Sequence, residues 1–233
     1  MTEADWLACN EPDEILVHLR DSEAHRKWRL FCCECVKRIG YHLEPFVRSR
    51  QAIDIAEGFA EGQVSIHQLQ ESVMEVQLER RNIIETKIDN ALYATALCLS
   101  EKLSILGIVR TISWGSTYAS RDTIETERLA HSDLLREIFG NPFRPVSMDP
   151  AWLTDTVHAL ATGIYDDRTF DRLPILADAL QEAGCDCDDM LNHLRGPGPH
   201  VRGCWALDLV LGQGQRALKR LFLQGFSCFR SCF

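Results

Sequence analysis

Apolar positions along this chain recur at steps of three and four and almost nowhere at steps of two, the spacing that lines one face of a helix. Ile15, Leu16 and Leu19 share a face in "PDEILVHLR", and Trp28, Phe31, Cys32, Cys35 and Ile39 share one in the next segment. Start and stop signals punctuate the pattern. Thr2 heads the capping sequence Thr2-Glu3-Ala4-Asp5, Pro12 suits a first helical turn, and Ser22 and Ser65 stand where caps are needed. "SRQAIDIAEGFAEG" reads as a helix ending at Gly62. From Ser65 a helical stretch is expected to run to roughly Ser100, with Leu69, Val73, Val76, Ile83, Ile84 and Ile88 on its buried side. Further helices are expected over 101–113, before a break near Gly115, and over 121–139, where "FGNPF" stops the chain. Whether the region 63–120 forms one bent helix or several stays open.

The predicted fold class is all-α. It comprises an array of amphipathic helices and helical hairpins over 1–139, a Pro-rich connection over 140–150, a small helical bundle over 151–212 and a tail over 213–233. That tail is basic: Asp208 is the last acid, and Arg216, Lys219 and Arg220 follow it. Leu221, Phe222 and Phe226 add an apolar stripe. Such a helix suits a membrane surface, a partner's groove or the chain's own bundle.

Composition narrows the function classes. A net charge of -9 over 233 residues argues against general nucleic-acid binding. The opening "MTEADWLACNEPDE" lacks an apolar signal segment, and Glu101 and Lys102 interrupt the most apolar stretch. A cytoplasmic protein is the expectation, and its ten cysteines are then thiols or metal ligands rather than disulfides.

Those cysteines carry the candidate chemistry. Cys32, Cys33 and Cys35 fall within one helix, where core packing is the plainer role. Cys185, Cys187, His200 and Cys204, with His193 nearby, form the candidate zinc set. "LRGPGPHVRGCW" interrupts the helices just there. The same loop offers His200 and Cys204 as a base and a nucleophile, and Arg202 with Gly203 as an anion site. Arg202 equally suits an ion pair with an acid of "IYDDRTFDR", namely Asp166, Asp167 or Asp171. His18, His25, His42, His67, His131 and His158 lack ligand spacing, and no phosphate loop, His-Glu-x-x-His helix or nucleophile elbow occurs.

The stretches "WLACNEP", "RKWRLFCCECVKRI", "SRQAIDIAEGFAEG", "LLREIFGNPFRPVSMDPAWLT" and "LRGPGPHVRGCWALDLVLG" resemble a bacterial family present in many paralogous copies and carrying no established activity. The resemblance covers residues 2–62 and 132–212, leaving 62–120 as a variable middle. It implies cysteines at Cys33 and Cys35, with Val36 where a third is common, and a tail after Gly212 that departs from the family's ending. Taken together, the expectation is a non-catalytic helical scaffold or interaction module with a protein partner or self-association. Alternatives are a zinc-binding protein using the C-terminal Cys/His residues and a membrane-surface protein using the tail.

Overall fold

The computed structural model describes residues 1–19, 24–101, 103, 105–116 and 121–213. Among them every regular element is helical, with no strand. The chain divides into two compact units, one of Met1–Arg136 and one that begins at Glu137. The boundary falls inside the last turn of a long helix, a few residues before the Pro-rich stretch.

The first unit opens with α1 (Glu3–Ala8) and α2 (Pro12–Leu19). Thr2 caps α1 as its sequence predicts: its side chain accepts from the Asp5 N–H, and the Thr2 N–H donates back to the Asp5 carboxylate. The array proper is α3 (His25–Arg38), α4 (Val47–Ala60), α5 (Ile66–Arg80), α6 (Thr86–Cys98) and α7 (Ile105–Ser116). Each packs on the next, and α7 returns to α3. The Ser22 cap lies outside the described residues.

The stretch expected from Ser65 to Ser100 is two helices. A Ser65–Gln68 capping box starts α5 as expected, but the helix ends after Arg81, and Glu85 adopts the extended geometry that starts α6. The break turns the apolar pattern around. Leu69 and Val76 are buried, whereas Ile84, expected inside, is 96% exposed in the turn between the two helices.

The α3 cysteines are core residues, as is Cys98 at the end of α6. Burial pushes the Cys35 and Cys98 thiols well above the usual range, so they pack as small apolar groups. Beside them the buried Arg29 guanidinium donates to the carbonyls of Cys98 and Ser100 and stacks over Phe59. It satisfies the bare C-terminal carbonyls of α6.

The helix α8 (Arg121–Phe139) ends at Gly140, whose φ of +71° is the left-handed stop expected of a glycine there. Beyond it come α9 (Asp155–Asp167), α10 (Leu173–Glu182), α11 (Asp188–Arg195) and α12 (Trp205–Val210). Thr154 caps α9 by accepting from the Val157 N–H. Leu176, Leu180, Met190, Leu194 and Leu207 are fully buried between these four helices. No helix among the described residues is long and apolar enough to cross a membrane.

Candidate metal centre

Three stretches of the second unit bring polar side chains into its interior. Glu137 comes from the last turn of α8, His193 from α11, and His200 and Cys204 from the loop that ends at α12. The local sequence explains each placement. Gly140 halts α8 just beyond Glu137. In α11, Met190, Leu191 and Leu194 face the core and carry His193 along its edge. The loop itself turns on Gly198 and Gly203, at φ +85° and +89°, values open to glycine and strained for other residues. Gly198–Pro199 is cis.

One donor atom from each of Glu137, His193, His200 and Cys204 lies within 4.8 Å of the other three. The carboxylate is central to the group. Glu137 Oε1 is 3.2 Å from His200 Nδ1, and Oε2 is 3.2 Å from His193 Nε2. Cys204 Sγ is 3.3 Å from that same His193 nitrogen. Donors around a tetrahedral zinc, bound at about 2.0–2.3 Å, stand about 3.3–3.8 Å from one another. The three closest separations, 3.2, 3.2 and 3.3 Å, lie beside that range, and the others reach no further than 4.8 Å.

The outer contacts orient the rings. His200 Nε2 is 3.0 Å from the Gly196 carbonyl oxygen. A carbonyl only accepts, so Nε2 carries the hydrogen, and in the neutral ring Nδ1 is left with its lone pair facing Glu137. A lone pair facing a carboxylate needs a proton or a cation between them. This is the arrangement by which backbone carbonyls fix metal-bound imidazoles. Trp205 covers the other ring, its centroid 4.9 Å from His193.

Without a metal, the charge within this group is balanced by protons. Burial would raise the Glu137 carboxyl, yet hydrogen bonds and charge from His193 and His200 hold it down to about 2. It is a carboxylate at neutral pH, with a side chain only 3% exposed. Burial works against charge on His200, but the hydrogen bond to Glu137, the Glu137 charge and the Gly196 carbonyl together outweigh it and raise the imidazole. Burial, reinforced by the Glu137 charge, pushes the Cys204 thiol well above its ordinary value, against the pull of the Ala206 and Leu207 N–H groups.

Compared with known protein families, curated proteins and solved structures, the chain matches none.

Of the residues expected from sequence, His200 and Cys204 come together, and Cys185 and Cys187 do not join them. Cys187 is the N-cap of α11 and Cys185 is buried in the core before it. The loop follows the opposite end of that helix, about 12 Å along for eight residues. Glu137 and His193 complete the set instead. Cys204 has both His193 and Glu137 beside it, and burial raises its thiol, the opposite of the lowering that activates a nucleophile. Arg202 stacks its guanidinium over the Tyr165 ring at 5.1 Å. Asp167 is the exposed last residue of α9, and Asp171 is exposed in the short 3-10 turn Phe170–Arg172. The tail residues Arg216, Lys219, Arg220, Leu221, Phe222 and Phe226 lie outside the described residues.

A loop built this tightly makes one substitution diagnostic. At Gly198 an added Cβ would stand 2.5 Å from the His200 backbone nitrogen, whereas at Gly184, also left-handed at φ +92°, it meets nothing within 4 Å. Gly184→Ala is expected to cost only the backbone strain, about 1–2 kcal/mol. Gly198→Ala adds the overlap and moves His200, so its urea-unfolding midpoint should fall clearly further. Equal losses would mean that the loop yields freely.

Proposed function

We propose that this chain is a non-catalytic helical protein whose second unit is organised around one divalent transition metal, zinc by the chemistry of the donors. The observation that supports this best is the convergence of Glu137, His193, His200 and Cys204, the carboxylate and the thiol buried and the two rings partly so, with one donor atom of each within 4.8 Å of the others. One thiolate, two imidazoles and one carboxylate suit zinc, whereas calcium and magnesium prefer all-oxygen sets. Charge balance favours it too. A dication with one carboxylate and one thiolate is neutral overall, which suits an interior that tolerates no net charge. Four protein donors leave no open position for water or substrate, as in structural rather than catalytic zinc sites.

Metal content by mass spectrometry tests this reading. Reduced, tag-free protein, loaded with zinc and desalted, should retain about one zinc per chain. Cys204→Ser and His193→Ala should each reduce retention more than tenfold, as expected when a direct ligand is lost. Cys185→Ser/Cys187→Ser should retain it in full. Zinc lost from the wild type on desalting would sink the proposal, and zinc lost only with Cys185 and Cys187 would move the site.

A further inference from the structure

The outward face of α5 carries exposed apolar side chains at helical spacing. Its inner side packs Leu69, Ser72 and Val76 against α4 and α6. On the outer side Met74 and Leu78 are 63% and 58% exposed, one turn apart. Glu71 lies one turn before them and Arg81 one turn after, both exposed. The steps from 71 to 74, 78 and 81 are three, four and three, the spacing of a helix–helix seam. Arg81 keeps helical backbone angles at the C-cap, so the seam continues through it.

We infer that α5 is a self-association face, on which a second copy of this chain docks antiparallel about the midpoint of Met74 and Leu78. The charge order selects both the occupant and its direction. In an antiparallel pair centred there, Met74 of one copy meets Leu78 of the other, and Glu71 meets Arg81, twice over by symmetry. A parallel pair would stack Glu71 on Glu71 and Arg81 on Arg81, which repel. Within its own chain Glu71 has the exposed His67 3.4 Å away, a contact that leaves the carboxylate at the surface. Four side chains a side make less than a standard interface of about 1,600 Å², so the dimer is weak and depends on concentration.

Sedimentation of the full chain from about 10 µM to 500 µM reads this directly, with the upper range set by the weak class of interface. The wild type should shift from monomer toward dimer. Glu71→Lys and Arg81→Glu alone should each weaken association at least about tenfold, because each creates two like-charge contacts. Mixing the two single variants should restore it, since the mixed pair regains two opposite-charge contacts. The double variant should restore it as well. All four positions lie on the surface, so folding is not at stake, and none is a donor of the candidate metal centre. A wild type that stays monomeric at the highest concentration overturns the inference. So does association that ignores both reversals, as a tail-mediated dimer would, and so does a mixture that fails to recover.

Discussion

Zinc saturation is expected to raise the unfolding temperature of this protein by on the order of 10 °C over its chelated form. The size follows from mass action. A ligand bound by the folded state alone, held at about 1,000 times its dissociation constant, adds about 4 kcal/mol, and for a chain of this length each kcal/mol moves the midpoint by about 2–4 °C. The four donors come from three separate stretches of the second unit, so an unfolded chain holds no equivalent site. Calorimetry of zinc-loaded and chelator-treated protein checks it, with His193→Ala as the reference. That variant should show a distinctly smaller shift between the two conditions. A wild type equally indifferent to zinc would mean that Glu137, His193, His200 and Cys204 are only a hydrogen-bonded network held by protons.

The second large effect is acid destabilisation of the first unit. His131 on α8 is fully buried, its ring packed edge-on against Phe31 of α3. Neither ring nitrogen has a hydrogen-bond partner among the described residues. Glu127 Oε2 is 3.9 Å away, and that carboxylate is already held by Arg38 through two hydrogen bonds at 2.8 and 2.9 Å. Burial therefore lowers the imidazole to about 4, Glu127 opposing this and Arg38 and Arg128 adding to it. With the folded value below the unfolded one, the neutral ring's contribution is complete above about pH 6.5. It is lost as the pH falls through that value toward 4. The difference is about 3 kcal/mol. Urea unfolding at pH 7 and at pH 4.5 should show the loss in the wild type, and His131→Phe, which keeps an aromatic ring against Phe31, should lose distinctly less. Equal pH dependence in both would assign the acid sensitivity elsewhere.

The helices were largely readable because their signals are local. Thr2 and Ser65 cap where their side chains predict, and Gly140 ends α8 because no other residue adopts its backbone so cheaply. The break after Arg81 was not readable. "RRNIIET" contains neither glycine nor proline, so the turn is imposed by the packing of α5 on α6, and Ile84 is left outside. The candidate centre was half readable for a similar reason. Closeness along the chain suggested Cys185 and Cys187, but a helix stands between them and the loop. Glu137 lies 63 positions from His200 in sequence and carries no spacing signal. Its one oddity is a negative charge in the last turn of a helix, where the dipole disfavours it. The two imidazoles supply the compensation that this position lacks.

The spread of the donors from Glu137 to Cys204 also sets an order of events in the cell. At synthesis rates of about 5–20 residues per second, several seconds separate the first donor from the last. During that interval the first unit is already complete in sequence, while the Glu137 carboxylate has neither imidazole nor thiol to meet it. On the reading proposed above, metal capture is a late event in the life of the nascent chain, and translation arrested before Cys204 leaves a product that lacks the thiol of the set.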